Sequence, residues 1–487
     1  MSLKVIGFWL GAALFASVLL LVQPSETLSS TAIKVAAVTC LMACWWLTEA
    51  LPLPATALLP TVLFPFLDIA SAKTVSQSYG HPLIFLFIGG FFMASAVEKS
   101  QLHRRIALGV IRYLGSKPPR LILGFMVSTA ILSMWISNTA TTMLMLPIAL
   151  AVIGKMNTQS DTFAKALLLS IAYGATIGGT ATLIGTPPNA VLAAVIEDLY
   201  GYTIGFAQWM TFGIPLSFIM LMLTWFLLTR VLHQVPADNQ ISVDATLNAE
   251  RKKLGSMSFA EKAVAIVFTV VAISWTVRGL IQTDNWKFVH DSTIAIAGAL
   301  LMFSIPLPQS EHNKNKYLLN WETAVAIPWG ILLLFGGGLS LASGIKSSGL
   351  AQAIADGLYT FHHWPFVLFM LLLAIGTTFL TEVTSNTATS AILLPIVGAG
   401  AVAMGIHPFG PLFAVAIASS YAYMLPVATP PNAIVFGSGQ IQIRDMAQSG
   451  FVLNILGCII LVSVIYLWLP VIWSIDLSQI PHWVSSP

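Results

Sequence analysis

The sequence predicts an all-α polytopic membrane protein with about 11 transmembrane helices and two re-entrant hairpins, arranged as an inverted repeat. Three observations predict it: an apolar composition, a one-sided distribution of basic residues, and a set of motifs that occurs twice in the same order. Of the 487 residues, 57% are hydrophobic and 8% are charged, against roughly 25% charged in a soluble domain. Most of the chain therefore faces lipid or other lipid-embedded helices. A net charge of +3, with no clustered basic face, argues against a nucleic-acid partner. Cys40, Cys44 and Cys458 sit inside apolar runs without metal-ligand spacing and read as apolar packing.

Taking the elements in order, residues 5–22 follow Lys4 and show no small-residue cleavage pattern before Gln23. Residues 1–30 are therefore read as an N-terminal transmembrane helix rather than a cleaved signal. Further apolar runs of spanning length fall near 32–50, 52–67, 80–97, 207–229, 263–281, 292–306, 322–343 and 449–474. Four regions, 121–154, 164–199, 364–404 and 409–440, are apolar but interrupted. Suppose the N-terminus is cytoplasmic and the regions 121–154 and 364–404 each enter and leave on one side. Of the 22 Lys and Arg residues, all but Lys34, Lys73, Arg278, Lys287 and Lys346 then fall in the cytoplasm, as the positive-inside rule requires. The same path puts residues 475–487 outside as an extracytoplasmic tail. The polar stretch 231–262, with Pro236 and the run Arg251-Lys252-Lys253, reads as a cytoplasmic linker between a first repeat, 31–230, and a second, 263–474. Short loops and the lack of an Asn-x-Ser/Thr sequon suggest a bacterial inner membrane. Trp45, Trp46, Trp286, Trp321, Trp329 and Trp483 lie near span ends and suit an aromatic belt.

The duplication is visible residue by residue. Ser137-Asn138-Thr139-Ala140-Thr141 recurs 248 residues later as Ser385-Asn386-Thr387-Ala388-Thr389, and at the same offset Leu146-Pro147-Ile148 recurs as Leu394-Pro395-Ile396. Gly89-Gly90 matches Gly337-Gly338, and Thr186-Pro187-Pro188-Asn189-Ala190 matches Thr429-Pro430-Pro431-Asn432-Ala433, 243 apart. In the topology above Asn138 is approached from the cytoplasm and Asn386 from outside, so the repeat is inverted. Inverted repeats with interrupted helices place a binding site near the bilayer midplane.

The interruptions carry the chemistry. The two Ser-Asn-Thr tripeptides fall midway through apolar stretches long enough to cross twice, where exposed non-helical backbone is tolerated only beside protein or a water-filled cavity. They are read as the tips of hairpins 121–154 and 364–404. Serine hydroxyls, the asparagine carbonyl and freed backbone carbonyls are hard oxygen ligands that suit sodium. The half-helices starting at these tips can receive an anion at their N-termini. The double prolines predict helix breaks at 186–189 and 429–432, freeing carbonyls such as those of Gly185 and Ala428 for a cation. The new helix starts at Thr186 and Pro187, and at Thr429 and Pro430, face substrate. No Lys or Arg lies near either tripeptide, so carboxylates would be held by Asn, Thr and backbone N–H groups. Glu382 is the one acid near a tip, and its repeat equivalent is Met134. It is a functional candidate by its position in the membrane; its other reading is a structural partner to a backbone group or a neighbouring helix.

The paired Ser-Asn-Thr motifs, the paired Thr-Pro-Pro-Asn breaks and the segment Thr48-Glu49-Ala50-Leu51-Pro52 resemble the divalent anion/sodium symporters, the INDY-type di- and tricarboxylate transporters. The resemblance runs over essentially the whole chain. It implies a homodimer with a scaffold domain and a transport domain that moves like an elevator. It also implies one sodium site from Ser133, Ser137, Asn138 and backbone near Gly185, and a second from Thr381, Ser385, Asn386 and backbone near Ala428. Ser133 and Thr381 each precede their tripeptide serine by one helical turn. Substrate carboxylates would contact Asn138, Thr139, Asn386, Thr387 and the surroundings of Thr429 and Pro430.

The function expected on these grounds is sodium-coupled symport of a C4-dicarboxylate such as succinate, malate or fumarate. A sodium-independent di- or tricarboxylate exchanger, or a citrate- or sulfate-selective carrier, is the alternative. A proton-driven carrier wants more titratable groups along its path than Glu382 alone. An enzyme is not expected: the nine histidines form no metal-binding pattern. A channel fits inverted repeats with broken helices less well than alternating access does.

Overall fold

The computed structural model describes residues 3–25, 28–154, 161–236, 244–280, 288–308, 316–358, 365–403, 405–481 and 484. These residues form helices almost throughout, with one isolated β-bridge between Pro306 and Tyr317. Helix α1 (Leu3–Leu21) packs on α2 (Ser30–Thr48), where the Trp45 indole N–H donates to the Phe8 carbonyl at 3.1 Å. Next come α3 (Leu53–Thr56), α4 (Leu59–Phe66), α5 (Ala72–Tyr79), α6 (Pro82–Lys99) and α7 (Leu102–Leu114). The first hairpin is α8 (Pro118–Ser133) and α9 (Asn138–Ile153), and the first broken helix is α10 (Asp161–Gly179) and α11 (Pro187–Tyr200). Helix α12 (Phe206–Phe226) runs on into a π-helical turn, Leu227–Leu232, and α13 (Asp244–Leu254) belongs to the linker.

The second half repeats the order. It contains α14 (Phe259–Leu280), α15 (Asp291–Ser304), α16 (Trp321–Ala324), α17 (Trp329–Ser348) and α18 (Leu350–Leu358). The hairpin α19 (Phe366–Thr381) and α20 (Asn386–Ala403) follows, then α21 (Phe409–Ala418), α22 (Pro430–Phe436), α23 (Ile443–Leu467) and α24 (Leu469–Trp473). Helices α8 and α19 begin and end 248 residues apart, and α11 and α22 begin 243 apart, at the offsets of the sequence motifs. Among the described residues, eight helical segments are long and apolar enough to cross a membrane.

Local sequence sets the element ends that matter for function. Pro118-Pro119 open α8, where a missing N–H costs nothing and the fixed φ suits the first turn. The Ser137 hydroxyl caps α9 by accepting from the Ala140 N–H at 3.2 Å. The double prolines do the same at α11 and α22, and this corrects one expectation. The breaks do not lie at 186–189 and 429–432 but before them, over 180–186 and 419–429, because prolines at the first two helical positions start a helix instead of ending one.

One further expectation changes. Trp45 and Trp46 are buried, and the Trp46 indole donates to the Leu53 carbonyl at 3.1 Å, so neither belongs to a belt facing lipid. Trp321 and Trp329 are exposed, as a belt needs, while Trp286 and Trp483 lie outside the described residues, as does Lys287. Between the predicted spans, Leu102–Leu114 forms the helix α7. It buries Leu102, Ala107, Leu108 and Ile111, and Arg105 binds Glu261 of α14 through two hydrogen bonds, of 2.7 and 3.2 Å. Cys40, Cys44 and Cys458 are free thiols.

Close helix contacts fix the first hairpin against α10. A β-carbon at Gly178 would collide with the Ala130 backbone of α8. Alanine in place of a helical glycine ordinarily stabilises by roughly 0.5–1 kcal/mol. Here overpacking costs about 1–3 kcal/mol, so Gly178→Ala is expected to lower the thermal unfolding midpoint of the purified protein. A raised midpoint would show that α8 and α10 are not held at this contact.

Candidate functional site

Each hairpin tip is a short non-helical link between two antiparallel half-helices: Met134, Trp135, Ile136 and Ser137 in the first, Glu382, Val383, Thr384 and Ser385 in the second. At the first tip the Ser133 hydroxyl donates to Asn138 Oδ1 at 2.5 Å. At the second, the Thr381 hydroxyl lies 2.6 Å from Asn386 Oδ1 and 2.9 Å from the Ser419 carbonyl. Ser133 and Thr381 are fully buried, so these oxygens meet inside the wall of the site.

The broken helices bring backbone oxygens to the same places. A β-carbon at Gly179 would lie 2.9 Å from Asn138 Oδ1 and 3.1 Å from the Gly185 carbonyl oxygen. Those two oxygens therefore face a common point that only a glycine leaves open. The unwound segments are held by Asn189 and Asn432, which share one geometry at an offset of 243. The Asn189 amide donates to the carbonyls of Gly179 at 3.1 Å and Thr182 at 2.7 Å. The Asn432 amide donates to those of Ala422 and Leu425, both at 3.0 Å. Both asparagines are fully buried. Thr429 caps α22 by accepting from the Asn432 N–H at 3.4 Å, while Thr186 makes no such cap.

A cavity of about 640 Å³ lies where these parts meet. Residues 137–139, 185–187, 384–387 and 427–431 line it, together with Leu3, Lys4, Thr48 and Glu49. It thus brings together Ser137, Asn138, Thr139, Gly185, Thr186, Pro187, Ser385, Asn386, Thr387, Ala428, Thr429 and Pro430, with Ser133 and Thr381 directly behind. Among the described residues Lys4 is the one basic side chain in the lining, and its ammonium lies 3.5 Å from the Glu49 carboxylate. Helices α9, α11 and α20 begin at the cavity wall. The free N–H groups of α9 and α20, and the positive dipole ends of all three, can hold a carboxylate without a cationic side chain, Pro187 and Pro188 of α11 having no N–H to donate. Neutral oxygens beside these N-termini can hold a hard monovalent cation. No group of His, Cys, Asp and Glu among the described residues could hold a metal ion.

Glu382 is a buried structural partner here, and the cavity lining does not include it. Its carboxylate accepts from the N–H groups of Met424 at 2.9 Å and Leu425 at 3.0 Å, and from the Asn454 amide at 2.7 Å. Motif reading missed the clamping role of Asn189 and Asn432, although both stand in the duplicated Thr-Pro-Pro-Asn sequence. It also missed Thr182, whose hydroxyl donates to the Met134 carbonyl at 2.5 Å.

A family model described as the sodium:sulfate symporter transmembrane region matches residues 4–475. The chain is 41% identical to a protein of Staphylococcus saprophyticus named sodium-dependent dicarboxylate transporter SdcS, over 98% of this chain and 93% of that one. It is equally similar, with the same coverage, to the protein of that name in Staphylococcus aureus. Among solved structures, the YdaH transporter of Alcanivorax borkumensis shares the fold with a TM-score of 0.59 at 13% identity, covering 90% of this chain and 99% of that one. MtrF of Neisseria gonorrhoeae, whose structure is described as illuminating a class of antimetabolite efflux pumps, does so with a TM-score of 0.55 at 12% identity, covering 96% and 94%.

Proposed function

The chain belongs to the sodium:sulfate symporter family, and from that membership and its central cavity we propose that it carries C4-dicarboxylates across the membrane together with sodium. It is a multi-pass membrane transporter and not an enzyme. The observation that carries the proposal is the convergence of both hairpin tips and both helix breaks on one cavity with hydroxyl, amide and carbonyl oxygens at its wall. The name of the 41%-identical relatives supports dicarboxylate over sulfate as the substrate class.

In this reading Ser133, Ser137, Asn138 and the Gly185 carbonyl ligate one sodium, and Thr381, Ser385, Asn386 and the Ala428 carbonyl ligate a second. Asn138, Thr139, Asn386, Thr387 and the helix starts at Thr186, Pro187, Thr429 and Pro430 receive the substrate carboxylates. Sodium binds first and orders the tips, since burying a dianion without cations costs far more than the hydrogen bonds return. An eleven-span path uses the eight long helices plus α3–α4, α15 and α21–α22. The loaded hairpins and broken helices then move as a transport domain against a scaffold, within a homodimer.

The test is uptake of labelled succinate into proteoliposomes under a sodium gradient, or with choline in place of sodium. Uptake only with sodium, competed by malate and fumarate but little by sulfate, is expected. Uptake that ignores sodium and needs vesicles preloaded with dicarboxylate would make the protein an exchanger.

A further inference from the structure

The two halves tie their hairpin to their broken helix at equivalent positions but with opposite chemistry. The node is residue 182 in the first half and 425 in the second, 243 apart. The Thr182 carbonyl accepts from the Asn189 amide and, at 3.4 Å, from the Gly185 N–H. The Leu425 carbonyl accepts from the Asn432 amide and, at 3.2 Å, from the Ala428 N–H. Up to this point the halves are copies of each other.

They differ in the link to the hairpin, made at position 134 or 382, 248 apart. In the first half a side chain of the broken helix reaches the hairpin backbone: the Thr182 hydroxyl donates to the Met134 carbonyl. In the second a side chain of the hairpin reaches the broken-helix backbone: the Glu382 carboxylate accepts from the N–H groups of Leu425 and Met424. The first link is one neutral hydrogen bond. The second carries an ionic acceptor with three donors, counting the Asn454 amide, and such bonds are roughly twice as strong as neutral ones. Glu382 is 2% exposed, and no Lys, Arg or His pairs with it among the described residues. A buried carboxylate without a cationic partner is costly, and it stands next in the chain to Thr381.

We propose that Glu382 is a positioning residue that makes the two cation sites unequal: the second is preassembled and supplied with a counter-charge, and the first is assembled only when sodium arrives. The inference rests on the sodium reading above. Glu382 does not ligate the ion, because its oxygens are taken by N–H donors; it holds Leu425, and through it Ala428, against the tip that carries Asn386. The second site fills first as sodium rises. Closure of the first tip, whose link to the unwound segment is a single hydroxyl, is the step that reports full loading.

Hydrogen–deuterium exchange of the protein in nanodiscs, without substrate and with choline exchanged stepwise for sodium, follows each tip separately. Protection of peptides covering 382–388 is expected at about tenfold lower sodium than protection of 134–140 or less, the gap that one charge-assisted contact can produce. Glu382→Gln should raise the midpoint for 382–388 about tenfold and leave that for 134–140 within about twofold. Thr182→Val should move only 134–140. Coincident midpoints in the unmodified protein, or a shift of both tips together in Glu382→Gln, would overturn the proposal. The comparison within the unmodified protein decides it even if a variant misfolds. Absence of sodium protection at either tip would instead overturn the sodium reading itself.

Discussion

Alanine at Asn138 or at Asn386 is expected to abolish sodium-coupled succinate uptake while leaving a folded, membrane-inserted protein. Each side chain supplies an amide oxygen that meets a buried hydroxyl, of Ser133 in one half and Thr381 in the other. Each also opens the half-helix whose N-terminus faces the cavity. In the proposed sodium and substrate sites, removing the amide would delete a cation ligand and a substrate contact together. The structural loss is small, about 1–2 kcal/mol for one buried hydrogen bond left half-made, so size-exclusion behaviour and thermal unfolding should change little. Uptake should fall by about two orders of magnitude or more, the effect of losing two charge-assisted contacts of 1.5–3 kcal/mol each. A variant that transports normally would remove the tips from the site.

Leucine at Asn189 or Asn432 should act differently, lowering stability and sodium affinity together. Each amide holds two carbonyls of an unwound segment. Leucine has nearly the same shape but removes both bonds. The Gly179 or Ala422 carbonyl loses its amide partner in a dry wall, at a cost of about 1–3 kcal/mol, while the Thr182 or Leu425 carbonyl keeps only the Gly185 or Ala428 N–H. The segments carry the carbonyls of Gly185 and Ala428, so residual uptake should need far more sodium. The thermal stabilisation that sodium gives the unmodified protein should shrink or vanish. If the variants unfold at the normal temperature and keep their sodium dependence, the asparagines are bystanders.

How much of this could be read in the sequence depends on what each feature is made of. The helix interruptions at the two tripeptides were legible because a polar tripeptide in the middle of an apolar stretch has few places to go in a membrane, and because it occurs twice. Their ends follow the sequence offset through Ser133 and Thr381. The breaks were legible as events but misplaced, since a double proline says only that no helix continues through it from the N-terminal side. Helix α7 was not legible as a span because Arg104, Arg105 and Arg112 break up its apolar run in sequence, although its buried face, Leu102, Ala107, Leu108 and Ile111, is continuous. The partners of Glu382 were out of reach: two are backbone N–H groups 42 and 43 residues further on, which have no sequence signature. Trp45 and Trp46 stand at a helix end that the neighbouring helices cover, which hydropathy does not register.

The central claim is that sodium builds the anion site. Equilibrium binding of labelled succinate to the purified protein, by scintillation proximity in sodium and in choline at equal ionic strength, tests it most directly. The account predicts saturable binding in sodium and none above background in choline. Equal affinity in the two salts would mean that the helix N-termini hold the dicarboxylate unaided, and that the paired oxygen clusters behind them serve some other purpose.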